Sequence, residues 1–315
     1  MNNTEKVLRE TSENIARLGH ESGRVFHGRG KCFPGFENIN IEKFNDDLLI
    51  ALFPGWQNES FQLDAFQNAL NTLISTTSGR VLTHFRDQQP CTVQNQQGDP
   101  VSEQVEILED GIRYLVEYGE NRNLGFFSDI KTGRRWVRDH AAEKRVLNLF
   151  SYTSSFSLAA LSGGARFCAN VDMSAAVISR GEHNHRLNGI EQRRYGHFKY
   201  NILKSWKKIA QKGPYDLVIV DPPSFQRGSF IASKDYGKVS GRLASMLSDD
   251  ADILFCLNDP FVTEEVFREI IEASGPYVFC SRLENDSAIK ELDGNGLKVL
   301  HYRNVNSPVA VHTRP

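Results

Sequence analysis

Hydrophobic and polar positions give the 315-residue chain two textures. In the first hundred residues, Thr4 to Leu18 mixes Asn, Glu, Lys and Arg and predicts a surface helix. Leu63 to Ile74 carries Leu63, Phe66, Leu70, Leu73 and Ile74 at the spacing of one helical face. Asp47 to Phe53 and Arg80 to Phe85 are apolar enough to predict strands on either side of that helix. The glycine-rich stretch Gly23 to Gly35 predicts a loop. Gln88 to Glu103, rich in Gln, Pro, Asn and Gly, predicts a connector. Gln104 to Leu108 and Ile112 to Tyr118 flank Glu109-Asp110-Gly111, and Asp-Gly between two such runs predicts a hairpin.

From Arg145 the pattern changes to short apolar runs, Val146 to Phe150, Phe167 to Val171, Leu217 to Val220 and Ile253 to Leu257, separated by segments of helix length. Alternation of this kind predicts a mostly parallel, doubly wound α/β sheet. The expected organisation is a smaller N-terminal α+β domain over residues 1–103, followed over 104–315 by the hairpin and a Rossmann-like sheet domain.

Composition sharpens this only in places. Hydrophobic residues at 40% and charged residues at 24% are ordinary globular values. The longest apolar runs fall far short of the roughly 18 residues that cross a bilayer. With no apolar leader segment at the N-terminus, a cytoplasmic address is expected. The five cysteines are widely spaced and form no CxxC pair, which predicts reduced thiols and no metal site. The formal charge of −2 does not announce a nucleic-acid ligand, but its distribution does more. Nine Lys and Arg residues lie between Ile178 and Gly213 against Glu182 and Glu191, a candidate phosphate-facing patch or a solvated basic face.

Ligands of a doubly wound sheet bind beyond the carboxyl ends of its strands. The first such strand runs into Ser151-Tyr-Thr-Ser-Ser-Phe156, a small-residue turn opening a helix, where backbone N–H groups could meet an anionic group. It lacks the GxGxxG pattern of dinucleotide sites. The next strand ends in Asp172, placed to accept hydrogen bonds from ribose hydroxyls or simply to cap a helix. Leu217 to Val220 ends in Asp221-Pro-Pro-Ser-Phe225. Pro222 and Pro223 bring no N–H donors, so the carbonyls there have no competing backbone donor and suit an amino group. Phe225 can stack on a planar base, and Asp221 or Ser224 can take a further hydrogen bond.

Together, Val146-Leu-Asn-Leu-Phe-Ser-Tyr-Thr-Ser-Ser-Phe156, Val171-Asp172, Asp221-Pro-Pro-Ser-Phe225 and Asn123-Leu-Gly-Phe-Phe-Ser-Asp129 resemble the S-adenosylmethionine-dependent methyltransferases of large-subunit ribosomal RNA. The resemblance runs from the hairpin to Leu297–Tyr302 and extends to the N-terminal unit; no PUA-type RNA module is visible. It implies that Asn148, Phe150, Tyr152 and Thr153 form the loop against the methionine part of S-adenosylmethionine and that Asp172 holds the ribose. It further implies that Asp221, Pro222, Pro223 and Phe225 bound the methyl donor and the target base. The family turn usually has Gly where this chain has Ser154 and Ser155. An Asp common near the third strand end is Asn201, which can still accept from the adenine amine. The usual Leu-Asp-Gln-Arg after the hairpin reads Ser128-Asp129-Ile-Lys131, and Asp129 is carried over as a cofactor-side residue.

The resulting expectation is methyl transfer from S-adenosylmethionine, leaving S-adenosylhomocysteine, to a base nitrogen in 23S rRNA, either naked or within a ribosomal subunit. Methylation at cytosine C5 needs a Cys that attacks C6. Family members that do this carry the Cys just after the fifth strand, and Cys256 lies a few positions too early, which makes it a core thiol. An amino-methyltransferase for DNA or protein shares the same site. A non-catalytic RNA-binding or assembly factor is the alternative from another class. The RNA surface is expected from Arg24, His27, Arg29 and Lys31 in the glycine-rich loop, with Arg193 and Arg194 in the basic run. The loop could instead serve a homodimer.

Overall fold

The computed structural model describes residues 2–58, 61–223, 225–226 and 230–305, and the chain divides into two compact units. The first comprises residues 1–131 and 285–296. It begins with helix α1 (Asn3–Leu18), whose Asn2 and Glu5 form a reciprocal capping box that satisfies two otherwise unpaired N–H groups. A five-stranded sheet follows in the order β1 (Gly23–His27), β2 (Ile39–Phe44), β3 (Asp47–Leu52), β4 (Val81–Phe85) and β5 (Thr92–Gln94). Only β3 and β4 pair in parallel, and helix α2 (Leu63–Leu73) makes the crossover between them. Val25, Phe26, Ile39, Leu48, Ile50 and Leu70 form its dry centre.

The glycine-rich segment departs from its expected loop. Its first five residues are β1, with Val25 and Phe26 fully buried. A Cβ at Gly28 would come within 1.9 Å of the Phe36 carbonyl, and one at Gly30 within 1.7 Å of the Lys290 carbonyl. These glycines allow backbone to pack on backbone, so they do not supply a pliable surface.

The hairpin of β6 (Glu103–Glu109) and β7 (Ile112–Tyr118) turns through Asp110 and Gly111, both at positive φ, as an Asp-Gly turn requires. It falls in the first compact unit, whose main segment runs to residue 131. The reason is its bonding to the N-terminal segment: Ser22 N donates to Leu108 O at 2.7 Å and the Asn45 amide to Glu106 O at 2.8 Å. Residues 285–296 return to this unit through Asp286, which pairs with Arg17 at 2.7 Å, and Lys290, which pairs with Glu10 at 2.6 Å.

The second unit begins with helix α3 (Lys131–His140), of which Lys131 still counts with the first, and is built on seven strands. They are β8 (Arg145–Leu149), β9 (Phe167–Asp172), β10 (Tyr195–Lys199), β11 (Tyr215–Val220), β14 (Leu247–Asn258), β15 (Tyr277–Arg282) and β16 (Leu297–Asn304), with the short pair β12 (Phe225–Gln226) and β13 (Phe230–Ile231) inserted after β11. The sheet order is β10-β9-β8-β11-β14-β16-β15, with β8 to β11 and β14 parallel; β16 pairs antiparallel with both β14 and β15, so it alone runs against the other six strands. Helices α4 (Ser155–Ser162), α5 (Ala175–Leu187), α6 (Trp206–Ala210), α7 (Ala232–Leu243) and α8 (Glu264–Glu272) make the connections. From β8 the chain moves outward to β9 and β10, then crosses back to β11 on the other side. The strand order therefore reverses between β8 and β11, which is where such sheets open a crevice. Among the described residues no helix is long and apolar enough to cross a membrane.

Candidate active site

Three neighbouring strand ends meet at one level. Leu149 pairs with Val171 on one side and Val220 on the other, so the residues that follow, Phe150, Asp172 and Asp221, stand at adjacent carboxyl ends. At the usual strand spacing, Asp172 and Asp221 bracket roughly 10 Å of crevice.

The loop after β8 alternates through the left-handed region: φ is 57° at Phe150, 46° at Tyr152 and 68° at Ser154. Each costs on the order of 1 kcal/mol in a residue with a side chain, so the surroundings must hold the loop. Ser151 N donates to Val171 O at 3.1 Å, Tyr152 N to the Asp172 carboxylate at 3.1 Å and Ser154 N to Ser151 O at 2.7 Å. These three N–H groups are committed to the protein, contrary to the expectation that the turn offers them to an anion. Phe150 turns its ring against Phe230, with centroids 5.0 Å apart, tying this loop to the segment beyond Asp221.

Asn148 stands one layer below the loop. It is 1% exposed, and its amide donates to Asn170 at 3.0 Å, a bond that supports the turn from beneath. Asn170 donates to Ser157 Oγ at 3.0 Å, Ser157 lies 2.9 Å from His185 Nε2, and His185 Nδ1 lies 2.7 Å from Gly181 O. The Gly181 carbonyl can only accept, so His185 carries its proton on Nδ1 and Nε2 accepts from Ser157. Burial lowers the His185 pKa to about 4, which keeps the ring neutral and the chain of donors in one direction. From the same helix, Asn184 donates to Thr153 O at 3.0 Å and grips the loop directly. Asn170, Ser157, Asn184 and His185 were not legible as site residues, although Asn148 and Asn170, paired in register inside apolar strands, are a signal that something polar is built there.

Ser154, the departure from the family glycine, is fully buried, and a Cβ at Gly181 would lie 2.5 Å from its Oγ. Gly181 thus makes room for the serine, at the roughly 1 kcal/mol that Gly costs inside a helix.

Asp172 accepts from Tyr152 N and, at 2.9 Å, from Ser174 N. A carboxylate has about four lone-pair sites, so acceptor capacity remains for a diol. Asn201 follows β10 and heads a short turn without a side-chain capping bond. Pro222 is buried and Pro223 exposed, while Val220 O accepts from Tyr236 OH at 3.1 Å, which anchors the end of β11. Ser224 and the Phe225 side chain lie outside the described residues. Asp129 belongs to the first unit, where its charge acts on Arg29.

The residues expected to meet RNA divide sharply. Arg24 is nearly buried against Glu42 at 2.5 Å and donates to His27 Nδ1 at 2.7 Å; it is a structural cation and not a surface contact. Arg194 donates to Leu161 O and Ala165 O at 3.0 and 2.9 Å and is likewise spent on the protein. Burial and the neighbouring Arg24 and Arg29 push the His27 pKa down to about 3. Arg29 is exposed, Lys31 is an exposed partner of Asp293 at 3.8 Å, and Arg193 is an exposed partner of Glu191 at 2.6 Å.

A parallel sheet with an acidic residue at the end of β9, a strained loop after β8 and a DPP turn after β11 defines a nucleoside-binding transferase site. The S-adenosylmethionine-dependent methyltransferase family model matches residues 23–303, and the chain belongs to that family. It is 30% identical over 231 residues to the ribosomal RNA large subunit methyltransferase K/L of Vibrio campbellii, covering 70% of this chain and 32% of the relative. It is 28% identical over 271 residues to the ribosomal RNA large subunit methyltransferase I of Aeromonas salmonicida, covering 82% and 66%. The chain thus spans about a third of the length of the K/L relative. A methyltransferase of Streptococcus mutans shares the fold at a TM-score of 0.81 with 24% identity, over 96% of this chain and 82% of that one. A methyltransferase solved with S-adenosylhomocysteine matches to the same degree.

The residues fit the family's cofactor. Besides the spare acceptor capacity of Asp172, the buried Ser151 and Ser154 hydroxyls have no hydrogen-bond partner among the described residues. The loop after β8 is therefore polar and neutral, with an acidic residue beside it at the end of β9.

Proposed function

We propose that this protein is a cytoplasmic methyltransferase that transfers the methyl group of S-adenosylmethionine to a base nitrogen of 23S rRNA. The observation that carries the reading is the Asp221-Pro222-Pro223 turn beside the strained loop after β8 at the strand-order reversal. When bound, S-adenosylmethionine supplies an electrophilic methyl sulfonium. Asp172 holds the ribose hydroxyls, and Asn201 accepts from the adenine amine. The loop from Phe150 to Ser154, fixed by Asn184 and the Asn148–His185 chain, bounds the methionine end. At the acceptor side the carbonyls of the DPP turn receive the amino group of the target base, and Asp221 aligns it. Such a site works by positioning, because displacement at a methyl sulfonium needs donor and acceptor held in line.

Nitrogen is favoured over cytosine C5 by Cys256. The thiol is fully buried in β14, and burial together with the charge of Asp221 pushes its pKa well above the ordinary value, so it cannot present a thiolate to a base. The rRNA substrate class is supported by the functions named for the Vibrio and Aeromonas relatives.

The test is tritiated methyl transfer to 23S rRNA purified from a strain lacking the gene, with calorimetric titration of S-adenosylmethionine alongside. The parent protein should label the RNA. Asp221→Ala should lower the rate about 100-fold, the scale of losing a positioning contact at the reacting centre. Asp172→Ala should weaken cofactor binding about tenfold. Cofactor binding without label in any rRNA would leave a non-catalytic factor instead.

A further inference from the structure

We infer that the first unit carries a phosphate-binding site for the RNA backbone, formed by Arg29, Arg86 and Arg122 around Phe53; the inference rests on the RNA reading above. Phe53 follows β3 and Arg86 follows β4, on adjacent parallel strand ends, with Arg86 N donating to Leu52 O at 2.9 Å. Arg29 comes from the turn after β1. The Arg29 guanidinium lies 4.4 Å from the centroid of the Phe53 ring and that of Arg86 lies 4.7 Å from it, so one nearly buried ring carries two cations. Arg122, exposed, stands between Asn121, whose carbonyl lies 3.1 Å from His84 Nε2 on β4, and Asn123, which accepts from Arg86 at 3.1 Å, and its charge lowers the pKa of both Arg29 and Arg86.

The cluster is short of negative charge. Among the described residues none of the three arginines makes an ion pair. Arg24, which also repels them, is matched by Glu42. Asp129 is a carboxylate whose charge acts on Arg29, and the largest influences on Arg86 besides burial are the neighbouring Arg122 and Arg29. Arg86 donates from Nη2 to Asn123 at 3.1 Å, but its buried Nε has no partner. Burial and the three neighbouring arginines lower its pKa to about 10.

A protein that sets two guanidiniums on one ring, with a third nearby and no ion-pair partner for any of the three among the described residues, has left room for an anion. Planar forks favour a phosphodiester, whose oxygens accept two parallel hydrogen bonds from each fork. Phe53 is too deeply buried to stack on a base, so the cluster grips backbone and carries no sequence code. His27, held neutral with Nδ1 accepting from Arg24, keeps an N–H on Nε2 beside the cluster as an uncharged donor.

The experiment compares the full-length parent with Arg122→Gln, Arg86→Lys and the double variant Arg86→Gln/Arg122→Gln. Binding to a 23S rRNA transcript is measured from 50 to 200 mM salt, and S-adenosylmethionine affinity is measured by calorimetry. The double variant should lose at least tenfold in RNA affinity, and its log-log salt slope should be shallower by about two, one per phosphate contact. Arg122→Gln, on an exposed side chain, gives a slope change of about one even if changes at Arg86 disturb folding. Arg86→Lys keeps the charge and loses the fork, so affinity should fall while the slope stays near the parent's. Cofactor affinity should be unchanged throughout. Parental RNA affinity and slope in Arg122→Gln and the double variant would overturn the site while leaving the methyltransferase reading intact. A parent that neither binds nor labels rRNA would overturn both. If the variants lose binding to polyglutamate and keep binding to RNA, the cluster belongs to an acidic protein partner and the inference fails.

Discussion

Two polar clusters, one in each unit, treat electrostatics in opposite ways. Beneath the loop after β8, Asn148, Asn170, Ser157 and His185 are buried, neutral and satisfied in a single direction that ends on the Gly181 carbonyl. Around Phe53, Arg29, Arg86 and Arg122 are charged, mutually repelling and only partly satisfied. A complete network fixes a shape, because every member has one arrangement in which no buried group is orphaned. An incomplete charged one leaves bonding capacity for something outside the protein. The comparison separates polar residues that make the site from polar residues that meet a ligand.

The sharpest way to break the comparison is to remove a middle member of the satisfied chain. Asn170→Leu deprives Asn148 of its acceptor and Ser157 of a donor inside a strand with no access to water. Stability should fall by about 2–4 kcal/mol, the scale of two buried polar groups left unpaired plus imperfect packing. Thermal unfolding in the calorimeter reads this directly. The loop from Phe150 to Ser154, strained at three residues, should loosen with it, so cofactor affinity should drop although Asn170 never touches the cofactor. An unchanged melting temperature would mean that the chain of hydrogen bonds is decorative.

Acid probes the same network through His185. Its folded pKa of about 4 lies below the ordinary 6.5, so between those values the unfolded chain binds more protons than the folded one. Stability from keeping this ring neutral is therefore complete above about pH 6.5 and lost as pH falls towards 4. His197, also held near 4 by burial, adds to the same window, and His27 in the first unit, near 3, extends it lower. At pH 5 the contribution of one such histidine is about 1–2 kcal/mol. Replacing His185 by Gln should flatten the fall in melting temperature between pH 7 and pH 5 by that amount. A slope identical to the parent's would show that other groups govern acid unfolding.

The sequence made the strand ends readable and left the side-chain directions hidden. Asp172 and Asp221 are legible because an acidic residue closing an apolar run has few places to go, and the Asp110-Gly111 turn is legible because its chemistry is local. Strand β1 is disguised by glycines that serve close backbone packing at Gly28 and Gly30. Strand β2 is disguised by Asn40 and Lys43, which are buried only because they find polar partners; the Lys43 ammonium, for example, reaches Glu21 O at 3.1 Å. Arg24 and Arg194 look like free cations because their partners, Glu42 for one and the Leu161 and Ala165 carbonyls for the other, are distant in sequence. Charge composition counts cations, and only tertiary contacts decide which are spent.

Arg193 and Arg194 test that distinction at adjacent positions with the smallest effects. Arg194 donates to two backbone carbonyls that close the turn after α4, and Arg193 holds only an exposed pair with Glu191. Arg194→Gln should cost about 1–2 kcal/mol, the scale of charged hydrogen bonds to partly buried carbonyls, and should leave the salt dependence of RNA binding unchanged. Arg193→Gln should alter stability by less than about 0.5 kcal/mol, since exposed pairs contribute little. If the basic run is part of the RNA footprint, the same change should make the salt slope shallower by about one. Paired measurement of melting temperature and salt slope on the two variants separates the roles: a stability loss without a slope change identifies a structural cation, and a slope change without a stability loss identifies a contact. A slope unchanged in Arg193→Gln would remove this pair of arginines from the RNA footprint, because the neighbouring cation is already engaged by the protein itself.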